Sequence, residues 1–404
     1  MRRKLLWAAA LLYSLAHFAL TGLRQPLGNF YGDFLATFPA RRLALLAGRL
    51  DLWSGTLAQR WTHMFPWGHA DIWYYGPLHH LIAAPMLAFP TLRSGYIAWL
   101  FVNLLFVGAT MAIAAKIADD VLAVVVMFLN FNPLYEAITQ RNIEIFELML
   151  LFAAYALYRR GRDSACGAAI GAAAMAKFLP IIYLPWLVLK RRWRALGAAI
   201  AVIVPLTIAA QPILGWQNSG TLLQTKHGGF IDSDLDQSLS GVIVRLVGLS
   251  HAAIASRVAI AVALIAFCAL MLRLRNRQGV EDLEFGLIAM AMVLLPPHNQ
   301  NYYFSFLLLP YAFLYARYRC EKWSWRTTLC AVSFVLVAAP VPFSILQRLT
   351  GLDAFTLYLR AAIPFIGATL LVIVLVAEIG MSNAVLTAEQ PCPSKKPSRI
   401  SALS

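Results

Sequence analysis

The sequence predicts an all-α protein that crosses a membrane about twelve times. Of its 404 residues, 60% are hydrophobic and only 13% are charged, whereas a soluble domain is about half apolar and a quarter charged. Apolar runs recur along the chain, and a bilayer core of about 30 Å requires about 20 apolar residues per helix. The net charge of +15 is compatible with nucleic acid or with an oriented membrane protein, and the apolar runs decide for the membrane.

The chain length accommodates roughly ten to thirteen spans, within one integral-membrane domain over residues 1–380. Residues 381–404 are rich in Pro, Ser and Lys and are predicted to be a disordered cytoplasmic tail. The predicted spans are residues 4–23, 96–115, 121–135, 143–158, 165–177, 180–190, 195–212, 253–272, 283–297, 302–316, 327–346 and 361–380.

The first span starts with three basic residues and continues into an apolar run, which is also the pattern of a signal peptide. No small-residue cleavage site precedes Arg24, and many spans follow. The segment is therefore predicted to be an uncleaved helix whose start is cytoplasmic.

Lys and Arg clusters beside spans favour the cytoplasmic side. With twelve spans, all such clusters fall on one side, together with both termini, and the inner face carries little besides these basic anchors. The protein is thus predicted to be a multi-pass protein of a bacterial-type plasma membrane. The clusters are residues 2–4, 159–162, 190–194, 273–277, 317–326 and 395–399.

This orientation requires two features of the chain. Residues 76–91, which contain three prolines, must be a non-spanning or re-entrant segment. Residues 165–190 must form two short helices that are broken between Lys177 and Pro180, which leaves Lys177 exposed on the outer face, because an unpaired charge inside an apolar stretch is costly.

The long first outer loop, residues 24–95, is predicted to contain short interfacial helices and part of the site. Asp33 follows the first helix between aromatic residues. It could act as a general base on a hydroxyl group presented at the membrane, or it could cap a helix.

Residues 65–80 combine aromatic side chains with histidines and Asp71. They could form an interfacial aromatic belt or stack against sugar rings. No metal site is expected, because His79 and His80 are adjacent and His69 is distant from them.

Polar side chains also gather in four later segments of the outer face. The turn at 130–142 predicts a polar cavity in which Arg141 binds a phosphate or reaches a lipid headgroup. Lys177 could neutralise a lipid phosphate or anchor the chain at the interface. The acids at 232–236 lack the spacing of an EF-hand and indicate a flexible acceptor loop or a solvated turn, and residues 296–303 indicate a site wall.

Six short motifs share this outer face: Gly32-Asp33-Phe34, Tyr75-Gly76-Pro77-Leu78 with Ala84-Pro85, Gln140-Arg141-Asn142, Ala176-Lys177-Phe178-Leu179-Pro180, Asn218 to Ser238-Leu239, and Pro297-His298-Asn299. Together they resemble the polytopic GT-C glycosyltransferases. Within that group the chain is similar to glycosyltransferase family 87, the polyprenyl-phosphate-mannose-dependent α-mannosyltransferases, over nearly its whole length.

The resemblance implies that Asp33 is the general base and that Lys177 and His298 line the donor phosphate. Arg141 is assigned with them to the phosphate. The predicted sugar- or acceptor-binding residues are Asp71, Tyr75, Gln140, Asn142, Asn299 and Gln300.

The implied reaction is an inverting transfer of a hexose, with mannose as the leading candidate, from a polyprenyl phosphate to a lipid- or glycan-type acceptor at the outer face. One base and cations that hold the departing phosphate suffice for it, so neither a metal nor another cofactor is expected. The expected partners are membrane lipids, the polyprenyl-phosphate sugar and a glycolipid or polysaccharide acceptor, with no nucleic acid, and the chain is expected to be a monomer. The alternative is a transporter or flippase of lipid-linked saccharides, which predicts polar residues through to the cytoplasmic half.

Overall fold

A computed structural model describes residues 2–23, 27, 76–89, 91–214, 235–296 and 299–385. Within these ranges the secondary structure is helical, without a β-strand, as the sequence predicts. The helices up to the break at Lys177 are α1 (Arg2–His17), α2 (Pro77–Ala83), α3 (Leu92–Ala118), α4 (Val121–Phe128), α5 (Asn132–Gln140), α6 (Glu144–Arg159) and α7 (Asp163–Ala176).

The second part of the described chain continues in the same way. Short 3₁₀ segments at Leu179–Ile182 and Asn301–Leu307 lead into α8 and α13. The helices are α8 (Tyr183–Leu189), α9 (Trp193–Leu214), α10 (Leu239–Val247), α11 (Leu249–Leu274), α12 (Glu281–Leu294), α13 (Leu308–Tyr318), α14 (Trp325–Ala338), α15 (Phe343–Thr350), α16 (Ala354–Arg360) and α17 (Ile363–Val385).

Several helices begin at a side chain that accepts a hydrogen bond from a first-turn N–H group, as Ser, Thr and Asp do at helix starts. Thr91 caps α3, because its hydroxyl oxygen accepts from Ser94 N at 3.1 Å, and the Ser94 hydroxyl oxygen in turn accepts from Thr91 N at 3.2 Å. Asp120 caps α4 and Asp353 caps α16, at 3.0 Å and 3.1 Å. These caps fix where the chain turns between neighbouring helices.

Within the described residues, four helical segments are long and apolar enough to cross a membrane by themselves: Lys4–Leu23, Arg93–Ala118, Ile254–Leu274 and Ile363–Met381. The number becomes six if each of two bent pairs is one span. The protein is therefore embedded in a membrane by several apolar helices, and the count of twelve spans stays a prediction.

The two bent pairs differ from the predicted spans. The span predicted at 121–135 ends at Phe128, and the chain turns by 62° into α5, which occupies most of the predicted turn at 130–142. The span predicted at 327–346 ends at Ala338 and turns by 69° into α15. Proline explains both changes, because Pro133 fits the first turn of a helix, whereas Pro340 and Pro342 interrupt one.

Helices α7 and α9 pack with their backbones in close contact. A Cβ atom on Gly167 would overlap the carbonyl group of Ala195, and one on Gly171 would contact Ala199. Small residues four positions apart permit such an approach between membrane helices. This contact fixes α7, whose end carries Lys177, against a long apolar helix.

Aromatic side chains pack against one another inside the bundle. Tyr155 of α6 lies 4.2 Å from Phe313 and 5.5 Å from Phe285, measured between ring centroids, and Tyr183 lies 4.3 Å from Phe285. The tilted geometry of these pairs is favourable. These rings pack α6, α8, α12 and α13 against one another near the end of α6.

One end of the bundle, here called the basic end, carries the Lys and Arg clusters at Arg159, Lys190–Arg194, Arg273–Arg277 and Arg317–Arg326. This arrangement is consistent with the predicted gathering of the basic clusters on one side. The same end also carries acids, whereas the inner face was predicted to carry little besides basic anchors. Acids pair with the cations there: Lys190–Glu284 at 2.7 Å, Arg317–Asp282 at 2.6 Å, Arg319–Asp119 at 2.7 Å, Arg192–Asp163 at 3.4 Å, and Arg326–Glu378.

Candidate active site

The opposite end of the bundle, here called the polar end, is formed where α6 begins, α7 stops and the segment 299–303 starts. Helix α7 ends at Ala176, and Lys177 has an extended backbone with φ of −151°. The chain resumes in a 3₁₀ turn at Leu179 that contains Pro180. The predicted break between Lys177 and Pro180 is confirmed.

The Lys177 side chain is buried, with 6% of the residue exposed, so its predicted exposure on the outer face is wrong. Its ammonium group forms an ion pair with the carboxylate of Glu144 at the start of α6. It also lies 4.3 Å from the centroid of the Tyr303 ring, within the range of a cation–π contact. A buried ammonium group is tolerated here because Glu144 supplies the opposite charge.

Two acids of this cluster were not predicted as site residues. Glu144 and Glu147 are both fully buried one turn apart on α6, and both lie close enough to Lys177 to interact electrostatically with it. Two carboxylates inside a predicted span are a signal of function by themselves, because membrane helices rarely carry such groups. Their partner could not be predicted, since it comes from another helix.

The end of the first loop reaches the same place. The Gly76 N–H group donates to the carbonyl oxygen of Ala176 at 2.9 Å, directly beside the break. A Cβ atom on Gly76 would overlap the carbonyl group of Met175. The motif Tyr75-Gly76-Pro77-Leu78 therefore has a glycine where two backbones touch, and α2 after it is too short to span a membrane, as predicted for residues 76–91.

We expect Gly76→Ala to lower the temperature of thermal unfolding of the detergent-solubilised protein. A side chain would have to displace backbone atoms, and overpacking of this kind costs about 1–3 kcal/mol. Gly108→Ala is the matched control, because a Cβ atom on Gly108 of α3 meets nothing within 4 Å. Equal unfolding temperatures for the two variants would contradict the close backbone contact.

Arg141 lies in a buried turn at the end of α5. It ends α5 with a left-handed backbone, φ of 56°, and its guanidinium group is buried. The group donates to the carbonyl oxygen of Ile138 at 2.7 Å and lies 3.8 Å over the Tyr96 ring. These contacts hold the guanidinium group within its own turn, and phosphate binding by Arg141 remains a prediction.

The neighbours of Arg141 belong to the same turn. Asn142 is fully buried, and its side-chain oxygen accepts from Ile143 N at 2.8 Å. Gln140 is half-buried at the end of α5. Asn142 and Gln140 lie two and four residues before Glu144, so the turn leads the chain into the Lys177 cluster.

The segment 299–303 is held at the polar end by Asp236. One oxygen of this buried carboxylate accepts from Asn299 N at 2.9 Å and from Ser238 N at 2.8 Å. Asn299 is buried, whereas Gln300 is half-buried. The acid at position 236 therefore lies in neither a flexible loop nor a solvated turn, since its carboxylate serves as an internal anchor.

A second contact ties this segment to α5. The Asn301 side chain donates to the Glu136 carboxylate at 2.7 Å. Asn301 precedes Tyr302 and Tyr303, whose rings cover Lys177. The predicted site wall at 296–303 thus reaches Lys177 in the described part, from Asn299 onward.

Four predicted site residues lie outside the described ranges: Asp33, Asp71, Tyr75 and His298. Their roles remain predictions, although Tyr75 and His298 are directly adjacent to Gly76 and Asn299. Among the described residues, no group of three or more His, Cys, Asp and Glu side chains is arranged to hold a metal ion.

The fold and this cluster define a class: an integral-membrane protein in which charged and amide side chains converge at one end of an apolar helical bundle. The sequence profile of glycosyltransferase family 87 matches residues 73–297, more than half of the chain. The chain therefore belongs to glycosyltransferase family 87, which confirms the resemblance of its motifs. Lys177 lies within the matched residues, and Asp33 and His298 lie outside them.

Among solved structures, the crystal structure of ArnT from Cupriavidus metallidurans bound to undecaprenyl phosphate is similar to this chain. The similarity covers 94% of this chain and 80% of the ArnT chain, with 13% sequence identity and a TM-score of 0.46. Comparison with curated proteins gives no significant match.

Proposed function

We propose that this protein transfers a hexose, with mannose as the leading candidate, from a polyprenyl phosphate to a hydroxyl group of a lipid- or glycan-type acceptor. Membership of family 87 supports glycosyl transfer. The observation that carries the donor assignment is the buried ammonium group of Lys177 at a helix break. A cation in this position suits a phosphate that is delivered by a lipid chain along apolar helices.

In the proposed reaction, Asp33 takes the proton of the acceptor hydroxyl group as its oxygen attacks the anomeric carbon. The bond from that carbon to the phosphate oxygen breaks, and polyprenyl phosphate leaves with the electron pair. A single displacement inverts the anomeric configuration. The reaction needs one base and a stabilised leaving group, and in this proposal neither a nucleotide nor a metal ion takes part.

Lys177 is proposed to stabilise the departing phosphate together with His298. Its ion pair with Glu144 and its contact with Tyr303 hold the ammonium group in place before the substrate arrives. A cation that is oriented in advance stabilises developing charge without reorganisation during the reaction. Glu144 is thus proposed as a positioning residue for Lys177.

The polar end is proposed to face outward, with both termini in the cytoplasm. The ion pairs at the basic end support this orientation, because Lys and Arg flanking the spans favour the cytoplasmic side. The acceptor would then be a glycolipid or a polysaccharide of the cell envelope.

We expect mannose to be transferred preferentially when membranes that contain the protein receive a panel of radiolabelled polyprenyl-phosphate sugars. The labelled product, separated and hydrolysed, identifies both the sugar and the acceptor. Membranes that lack the protein are the control. Transfer of arabinose or glucose alone would overturn the proposal that mannose is the transferred sugar. Transfer from nucleotide sugars alone would overturn the proposal of a lipid-linked donor.

A further inference from the structure

A cavity of about 760 Å³ opens at the basic end, where Asp163 at the start of α7 lines it, whereas Lys177 follows the other end of the same helix. It lies between the turn that joins α8 to α9 and the turn that joins α11 to α12. Five cationic side chains line it: Lys190, Arg191, Arg192, Arg275 and Arg277. The proposed transfer reaction uses none of them.

The charge of this cavity is only partly neutralised. Asp163 and Glu281 are the acids among its lining residues, and Asp163 is 3.4 Å from Arg192. Lys190 is already paired with Glu284 beneath the cavity. The side chains of Arg191 and Arg275 form no ion pair or hydrogen bond with the described residues, and both are exposed. The cavity therefore holds an excess of positive charge.

Hydrogen bonds and a cation–π contact hold the walls of the cavity in place. Lys190 donates to the carbonyl oxygens of Leu274 and Arg277, both at 3.1 Å, which joins the two turns. The Arg277 guanidinium donates to Ile379 of α17 at 2.9 Å. Arg192 lies 4.8 Å over the Tyr158 ring. These contacts hold the turns at a fixed separation around the cavity.

Arg191 adds a backbone observation. Its φ of 54° places a non-glycine residue in the left-handed region, which costs about 1–2 kcal/mol. Strained residues of this kind occur preferentially at ligand sites. Arg191 therefore combines a cation that no described acid neutralises with a strained backbone conformation, which the surrounding fold has to maintain.

The level of the cavity relative to the lipid headgroups indicates the chemical class of its ligand. Trp193, directly after the cationic turn, is 60% exposed, and tryptophan concentrates at the level of the lipid headgroups. Basic pockets between membrane helices at the cytoplasmic side bind the phosphates of anionic lipid headgroups. A zwitterionic headgroup would gain less from the excess positive charge.

We propose that this cavity is a binding site for the phosphate headgroup of an anionic phospholipid, separate from the proposed active site. Arg191 and Arg275 are the cations that meet the phosphate, and Lys190 and Arg277 hold the two turns that carry them. The proposal does not depend on the reaction at the polar end.

The test uses the purified full-length protein in uncharged detergent with added dioleoyl phosphatidylglycerol, followed by native mass spectrometry and thermal unfolding. Arg191→Gln/Arg275→Gln is expected to bind this lipid roughly 30-fold more weakly than the wild type, because each cation near a lipid headgroup adds about a factor of five. Arg160→Gln/Arg273→Gln, which removes two exposed cations of the same end outside the cavity, is expected to bind normally.

Two further probes identify the source of the phosphate. Dioleoyl phosphatidylcholine carries the same phosphate with a positive group and is expected to bind weakly, and inorganic phosphate at millimolar concentration is expected to leave phosphatidylglycerol bound. Equal weakening in both double variants would overturn the site, because it would indicate general attraction to the basic end. Displacement of the lipid by inorganic phosphate would overturn the lipid headgroup as the ligand.

Discussion

Lys177→Met is expected to lower the rate of sugar transfer by about 100- to 1,000-fold, which is the effect of removing one pre-oriented group that stabilises transition-state charge. The substitution keeps an unbranched apolar side chain but removes the ammonium group that is proposed to meet the departing phosphate. Initial rates at saturating polyprenyl-phosphate mannose measure this effect. The binding of the lipid donor, measured separately, is expected to weaken less than the rate falls.

The fold also depends on Lys177, so one variant is not sufficient. Methionine would leave the buried Glu144 carboxylate without its counter-charge, and breaking a buried pair costs about 3–5 kcal/mol. In Lys177→Met/Glu144→Gln both charges are absent, and we expect thermal stability to recover while transfer stays low. A double variant with near wild-type transfer would contradict the role of Lys177, because the ion pair would then serve the stability of the fold and not the reaction.

Arg317→Met/Asp282→Asn is the matched control for this pair. These residues form an ion pair of 2.6 Å at the basic end, far from the proposed reaction. The control is expected to lose some stability and to keep its rate of transfer. The comparison therefore separates the loss of a charge pair from the loss of this particular cation.

Asp33→Asn is expected to lower transfer by about 100- to 10,000-fold, the contribution that a general base makes. Asparagine has nearly the same shape but does not accept the proton of the acceptor hydroxyl group. Donor binding is expected to persist, because the phosphate is proposed to be held by Lys177 and His298. Equilibrium binding of the labelled donor and single-turnover transfer measure the two effects in the same preparation.

Asp51→Asn is the control for Asp33, since it removes an acid of the same first loop to which no role is assigned. Its transfer is expected to stay within about twofold of the wild type, because the proposed reaction does not use this acid. If Asp33→Asn turned over as fast as Asp51→Asn, the general base would be another residue. Glu144 and Glu147 would then become the first candidates, because both lie at the polar end.

The sequence predicted the places where the chain is interrupted more reliably than the environment of the residues found there. Pro180 marked the break after α7, because proline cannot continue a helix. Pro77, Pro85 and Pro90 marked the non-spanning segment for the same reason. These are local effects of backbone chemistry, so they can be inferred without knowledge of the tertiary fold.

The environment of a charge depends on residues that are distant in sequence. Lys177 was predicted to be exposed because no nearby residue could pair with it, whereas its partner Glu144 lies 33 positions earlier on α6. Arg141 was predicted to bind a phosphate or to reach a lipid headgroup, and its guanidinium group also donates to a carbonyl oxygen of its own turn, which the sequence did not indicate. The left-handed backbone that directs it there has no clear signature in an Arg-Asn sequence.

For the same reason, the pairing of the acids at the basic end could not be predicted from the sequence. Asp119, Asp282 and Glu378 lie beside or within apolar segments of the sequence, while their partners Arg319, Arg317 and Arg326 belong to one cluster that is distant along the chain. Pairing between helices lowers the cost of an acid near the membrane. Charge counting along the sequence therefore grouped the basic clusters at one end of the bundle but did not predict the acids that neutralise them.

The most direct test of the proposed function follows both products of the purified protein in lipid vesicles. Vesicles that contain labelled polyprenyl-phosphate mannose and a glycolipid acceptor extract are sampled over time for mannosylated acceptor and for released polyprenyl phosphate. We expect the two products to appear in equal amounts, and both to be lost in Lys177→Met/Glu144→Gln. Movement of intact polyprenyl-phosphate mannose between the two leaflets, with no released polyprenyl phosphate, would contradict glycosyl transfer and indicate a flippase.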